Sequence, residues 1–277
     1  MTNSGHIPVL PSEVARLLNP SEGDVIVDLT AGRGGHAKQL ASLALENVTV
    51  ILFDLDRENL DYAAEQVKMV GAKVHACHAS FITAAETLVS LNLRADCVLA
   101  DLGFASNQMD DLGRGLSFKG GGPLDMRLNT HSGRTAKDII ETYAEEDLAN
   151  LIYQLGEEPY SRRIARKIVL ERQKEPILDT ARLAQIIRSA YGARARTSRM
   201  HPATRTFMAL RIAVNNELEA LDQLLLDVET GCRTVNESGW LNDGARVAVI
   251  SFHSLEDRRV KHSFVGLEKQ GLAKRLT

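Results

Sequence analysis

Three acids in the first 101 residues each close a short apolar run. Asp28 follows Val25-Ile26-Val27, Asp54 follows a run that begins at Thr49, and Asp101 follows one over 96–100. Between the first two acids lies Gly32-Arg33-Gly34-Gly35-His36, and Asp54 stands twenty residues past Gly34. A strand, a glycine turn that opens a helix, and an acid closing the next strand is the pattern by which α/β folds hold a nucleoside-bearing cofactor. The glycines let backbone approach a ligand closely, and the second acid accepts hydrogen bonds from ribose hydroxyls.

The spacing alone leaves the cofactor open. Dinucleotide sites favour G-x-G-x-x-G with the pyrophosphate over the helix N-terminus. Here the turn is Gly32-x-Gly34-Gly35 with Ala37 in the last position. Asp28, four residues before Gly32, would repel a pyrophosphate and would suit the ammonium group of a methionine moiety. S-adenosylmethionine (AdoMet) is therefore favoured over NAD, with a nicotinamide-dependent dehydrogenase and a ligand-free turn as the alternatives. In an open α/β sheet ligands bind outside the carboxyl ends of the strands, so all three acids are expected to face one crevice. Each acid taken singly could instead cap the helix that follows it. Phe81, after a third strand, could stack on adenine or fill the core.

The elements that must position these residues follow from periodicity. A short amphipathic helix is predicted around Val14 to Leu18, and strand-like runs recur at 25–29, 49–53, 73–77 and 96–100. Helical patterns at 36–45, 57–70 and 82–90 separate them, which implies parallel strands with crossover helices. The stretch Gly103 to Pro123, with Gly120-Gly121-Gly122 inside it, predicts a long loop. Residues 135–191 predict helices without intervening strands, and a strand returns at 245–252. The simplest organisation is an α/β core over 1–104 and 216–277, interrupted by a helical domain over 105–215.

Composition bounds the class. A chain of 277 residues with 44% hydrophobic content can bury a large core. It has no basic leader and no run of about 18 apolar residues, which predicts a soluble, non-secreted protein. Cys77, Cys97 and Cys232 are odd in number and far apart, so reduced thiols are expected and neither a metal site nor a disulfide framework. The net charge of −3 hides an asymmetry: from Tyr160 to Arg211 thirteen Lys and Arg stand against three acids, so this block carries +10 and the remainder −13. Arginines outnumber lysines there eleven to two, and arginine suits bidentate phosphate contacts and stacking on bases. Arg194, Arg196 and Arg199 lie in a Gly/Ala/Ser-rich stretch able to follow a nucleic-acid backbone, against the plainer reading of a solvated helical face.

Longer blocks then narrow the class. They are His6-Ile7-Pro8-Val9-Leu10, Asp101-Leu102-Gly103, Arg114-Gly115-Leu116-Ser117-Phe118, Gly122-Pro123-Leu124-Asp125-Met126-Arg127 and Gly156-Glu157-Glu158. His201-Pro202-Ala203-Thr204-Arg205, Ala209-Leu210-Arg211-Ile212, Val214-Asn215 and Ile250-Ser251-Phe252-His253-Ser254-Leu255-Glu256-Asp257-Arg258 follow in order. With these blocks the chain resembles the 16S ribosomal RNA cytosine-N4 methyltransferases of the MraW/RsmH type, from His6 to about Lys261.

The resemblance implies a Rossmann-like class I AdoMet-dependent methyltransferase core, its sheet mostly parallel, with an inserted helical domain that recognises substrate. It implies a cytoplasmic enzyme that methylates the exocyclic N4 amine of a cytosine in small-subunit ribosomal RNA near the decoding centre. Its partner would be that RNA or the small ribosomal subunit, with no membrane and with a homodimer left open. The cofactor contacts it carries over are Gly34, Gly35, His36, Asp54, Phe81, Asp101 and Gln108, with no metal.

Asp101 is also the candidate catalytic acceptor for the amine N–H groups, with Phe104 in the loose place of a base-stacking aromatic. The target base would have to be splayed out of its RNA context. Asp125, Arg127 and the His253-Ser254 turn are candidate walls for it, although Ser254-x-x-Asp257 could simply be a capping box. Where the family reads D-L-G-V-S-S-P-Q, this chain has Phe104-Ala105-Ser106-Asn107-Gln108 after Gly103. Leu155 and Met208 replace a family Tyr and Gln, the latter losing an amide. A catalytically impaired ribosome-assembly factor of the same fold is the alternative. The end at Thr277, before a further strand and a basic segment in family members, leads to the expectation of a truncated chain frayed after Phe264.

Overall fold

Apolar runs that are continuous, and not alternating, belong to strands covered on both faces. In the computed structural model, which describes residues 8–277 apart from 45, 119, 132 and 238, three such runs pair side by side at the centre of a sheet, flanked by two strands of more mixed and more exposed sequence. Of the opening block, His6 and Ile7 lie outside the described residues. Strands β1 (Val25–Asp28), β2 (Thr49–Asp54), β3 (Lys73–His78), β4 (Ala95–Asp101) and β5 (Leu241–Ile250) form one sheet in the order β3-β2-β1-β4-β5. Every pairing is parallel. The order reverses at β1, whose Asp28 pairs in register with Leu52 of β2 and Leu99 of β4. That reversal is a topological switch point, where open α/β sheets leave a crevice for ligands.

Helices α1 (Pro11–Leu18), α2 (Gly35–Leu43), α3 (Arg57–Lys68) and α4 (Ala84–Ser90) alternate with the strands, as the periodicity predicts. Strand β2 shows how both faces are filled. Val50 and Leu52 pack with Leu40 and Leu60, whereas Ile51 and Phe53 pack with Leu88, Leu221 and Leu224. No helix among the described residues is long and apolar enough to cross a membrane.

The chain divides into two compact units, one running to Gly103 and resuming over Leu218–Thr277, the other spanning Phe104–Glu217. The first unit is completed by α11 (Glu217–Arg233, which begins at the junction) and α12 (Ser254–Lys269). Among the described residues β5 is an edge strand, and α12 continues past Phe264 with Leu267 buried, so the expected fraying there is not found.

The second unit contains α5 (Ser106–Asp110), α6 (Ala136–Thr142), α7 (Glu145–Gly156), α8 (Ser161–Arg172), α9 (Thr180–Tyr191) and α10 (Thr204–Asn215). Its core gathers Ile139, Ile152, Ile164, Ile187 and Leu210. The stretch over 103–123 corrects the expectation of an open loop. It holds α5 and a 3₁₀ turn at Leu112–Arg114, and Leu116 joins the helical core together with Leu124 and Met126 just beyond. Gly115 makes this possible: its φ is +66°, and a Cβ there would fall 1.9 Å from the Pro123 carbonyl oxygen.

Candidate active site

The turn after β1 hangs between the ends of its two neighbours. Leu29 N–H donates to Leu99 O at 2.8 Å, and Ala31 N–H donates to Phe53 O at 2.9 Å. Gly32 N–H then donates to Asp54 Oδ2 at 2.7 Å, and Thr30 Oγ1 accepts from Asp101 N–H at 2.7 Å. Asp54 and Asp101, 47 positions apart in sequence, thus grip one turn from either side. Gly34, at the N-terminus of α2, has φ +77°, and a Cβ there would come within 3.0 Å of Ala63 Cα. Its glycine is therefore required by packing against α3, whatever ligand the turn also approaches.

Burial in one crevice changes the acids. Asp28 is 1% exposed, and desolvation, helped by the charges of Asp101 and Asp54, lifts its pKa to about 7 against the pull of the Thr30 N–H. Desolvation raises Asp54 to about 6, although the Asp56 and Gly32 N–H groups pull it down. Asp101 is also raised to about 6 by desolvation. His36 is buried at the start of α2, with Nε2 3.6 Å from Asp101 Oδ2. Asp101 Oδ1 is buried and receives no hydrogen bond. Crowded carboxylates at a switch point make a site for a cationic ligand with hydroxyl donors, and they disfavour a pyrophosphate.

Residues 3–276 match the MraW methylase family along nearly the whole chain. The chain belongs to that family. It is 43% identical over 265 residues to the ribosomal RNA small subunit methyltransferase H of Geotalea uraniireducens, covering 95% of this chain and 82% of that one. Proteins of the same name from Syntrophotalea carbinolica (42% over 260 residues; 94% and 80% covered) and Pelobacter propionicus (44% over 266; 95% and 82%) are similarly close. A methylase of this fold takes its methyl group from AdoMet, and the residues fit that cofactor. AdoMet carries ammonium and sulfonium charges for the carboxylates, and a ribose diol for acceptor positions left on Asp54, whose oxygens each take one backbone N–H.

The structure distributes the remaining expected residues of this MraW-family chain unevenly. Phe81 opens a 3₁₀ turn after β3 and packs, half-buried, on the core beneath β2 and β4. Gln108 lies in the helical unit, buried, where its Oε1 accepts the Ala105 N–H at 3.0 Å and closes the start of α5. Phe104 also belongs to that unit. It packs on the helical core under the Arg211 guanidinium, 4.9 Å from its ring centre, which is itself paired with Glu217 at 2.8 Å. Asp125 and Arg127 form a bidentate pair at 2.8 and 2.7 Å. Although burial opposes it, the Arg127 hydrogen bonds hold the Asp125 carboxyl below the usual range.

The cap of α12 is offset by one residue from the expected Ser254-x-x-Asp257. His253 is the N-cap and accepts from Glu256 N–H, while buried Glu256 returns Oε2 to the Phe252 N–H at 2.9 Å. The period of the sequence shows where the helix starts but not which of two adjacent polar pairs turns inward.

Sequence reasoning also missed a buried network in the helical unit. Glu158, fully buried, accepts from Tyr191 OH at 2.5 Å and from Tyr160 N–H at 2.8 Å. Burial, with the Glu158 contact, pushes the Tyr191 phenol well above its usual range. Tyr191 meets the Tyr160 ring edge-on at 4.8 Å, and Tyr160 OH accepts from Arg194 at 2.7 Å. The one signal for this in sequence is a Glu-Glu pair following a helix, which by itself reads as surface.

The basic block keeps most of its charge unneutralised. Glu171 takes Lys167, Lys174 and Arg182, and Asp179 caps α9. Among the described residues Arg162, Arg163, Arg166, Arg188, Arg196 and Arg199 are exposed and pair with no acid.

Proposed function

We propose that this chain transfers the AdoMet methyl group to the exocyclic N4 amine of a cytosine in small-subunit ribosomal RNA near the decoding centre, in the cytoplasm. The observation that carries the reading is the convergence of Asp28, Asp54 and Asp101 at the switch point, with an Asp101 oxygen buried and without a hydrogen bond. AdoMet supplies an already activated methyl on its sulfonium. What the protein must add is in-line positioning of a poorly nucleophilic amine. Asp54 holds ribose hydroxyls, the Gly34-Gly35 backbone and His36 line the turn, and Phe81 borders the adenine. Asp101 Oδ1 accepts an amine N–H and draws its proton away as the nitrogen rehybridises. With a pKa raised only to about 6, Asp101 is mostly ionised at neutral pH and competent as an acceptor.

The exposed arginines of the helical unit support an RNA substrate, and the relatives' shared name, small subunit methyltransferase H, supports the particle. Gln108 contributes by shaping α5, and a homodimer is retained in the proposal only as the resemblance leaves it open.

The test is incubation with labelled AdoMet and small-subunit RNA or particles, followed by mapping of the methylated base. Label on a cytosine N4 is expected, with Asp101→Asn slowing turnover by about 10²–10⁴ while AdoMet still binds. RNA binding without any methyl transfer would replace this reading with that of an assembly factor.

A further inference from the structure

Outside the carboxylate crevice, the helical unit contains a second concave feature. It is a cleft of about 340 Å³ between the exposed side of α7 and the start of α8, lined by Asn150, Tyr153, Pro159, Tyr160, Arg162 and Arg163. Its composition is unusual for a helical surface. Tyr153 is 62% exposed, although an aromatic ring on a helix is normally turned into the core. Nothing in the helical packing needs it there: the buried face of α7 is supplied by Leu148, Ala149 and Ile152.

Tyr160, on the other wall, is fixed from three sides. Glu158 holds its N–H, Tyr191 meets its ring, and Arg194 donates to its hydroxyl. The guanidinium carbons of Arg194 and Arg163 stand 5.5 and 6.0 Å from the ring centre, so arginines flank an aromatic surface that cannot swing away. Arg162 and Arg163 are exposed at the cleft mouth with no acidic partner among the described residues.

We infer that this cleft holds one nucleotide of single-stranded RNA, its base stacked on Tyr153 and its flanking phosphates on Arg162 and Arg163. An exposed aromatic offers a sequence-tolerant stacking platform, and a row of arginines beside it follows the backbone. The volume lies at the low end of ligand-sized pockets, enough for one nucleotide and too small for a folded duplex. Asn150 offers an amide at the cleft edge that can both donate to and accept from a base. The inference rests on the reading of this unit's basic face as an RNA surface, and it specifies a place on that face where a base is held apart from the one to be methylated.

The experiment uses the full chain and a single-stranded uridine oligoribonucleotide of about twelve nucleotides, with affinity measured across a salt series. Tyr153→Ala is expected to weaken binding about five- to a hundredfold without altering the salt slope, and Tyr153→Phe to leave it unchanged. Arg162→Ala with Arg163→Ala should instead flatten the slope by about 0.7 per lost phosphate contact. Equal affinity for Tyr153→Ala and the parent chain overturns the cleft. If Arg194→Ala/Arg196→Ala/Arg199→Ala still weakens binding in that case, the basic face survives and only the cleft is lost. If that variant binds unchanged as well, the RNA reading of the whole face fails. Loss of binding to small-subunit particles but not to the oligonucleotide also overturns the inference, by making the occupant a protein. Tyr153 is exposed, so its variants should melt with the parent chain.

Discussion

Asp54 has two duties at the residue scale. Its carboxylate anchors the glycine turn through Gly32 N–H at 2.7 Å and the next loop through Asp56 N–H at 2.8 Å. Each oxygen keeps a lone pair for a hydroxyl donor. Asp54→Ala should weaken AdoMet binding by about 1.5–3 kcal/mol, the range for hydrogen bonds to a charged group. Titration calorimetry on a folded variant checks this, and undiminished affinity would leave Asp54 as an anchor of the turn alone. Asp101 differs because one of its oxygens is uncommitted, so its substitution is expected to affect turnover more than binding.

At the scale of elements, the β1–α2 turn and the arginine segment after α9 make separate predictions. Gly34→Ala forces a Cβ onto φ +77° and against Ala63 at 3.0 Å. Gly23 has a similar φ of +81° with nothing within 4 Å of the same position, so Gly23→Ala carries the backbone strain alone. Gly34→Ala should cost roughly 2 kcal/mol or more, against about 1–2 for Gly23→Ala. Thermal melts of the two variants measure the difference, and equal losses would mean that α3 yields to the turn.

For the segment after α9, replacing Arg194, Arg196 and Arg199 with Ala should flatten the salt dependence of RNA binding by about 0.7 log units per lost contact. AdoMet affinity should stay constant. An unaltered slope would make these arginines a solvated face.

For the whole molecule, the crowded acids set a pH dependence of stability. Asp28 is raised to about 7, and Asp54 and Asp101 to about 6, from 3.8. The folded chain therefore binds more protons than the unfolded chain between about pH 4 and 7. Their contribution to stability is complete below that interval and is lost as pH rises through it. The downward-shifted His201 acts in the opposite sense over part of the same range. Asp28→Asn isolates the carboxylate effect: the loss of melting temperature from pH 5 to 7 should shrink in that variant. Cationic AdoMet favours the ionised acids, so the stabilisation it confers should grow over the same interval. A ligand-induced shift that stays flat with pH would remove the carboxylates from the cofactor's charged groups.

Much of the architecture was decided locally. Apolar runs at 25–27, 50–53 and 97–100 leave few options but buried parallel strands, and the acid that ends each strand places three carboxyls at one end of the sheet. The glycine turn and the helices between strands follow from the same short-range patterns. Other outcomes depended on partners far away in sequence, where periodicity carries no information. Phe104 stands three residues after Asp101, yet it packs under Arg211 in the other unit. Glu158 looks like a surface acid until Tyr191 closes over it, and Asp125 looks like a site residue until Arg127 takes both its oxygens. Residue types and spacing determined that acids and glycines would meet at the switch point. Only the tertiary structure decided which polar groups neutralise one another and which, like Asp101 Oδ1, stay uncommitted, because a side chain is spent or spared by neighbours that long-range packing brings to it.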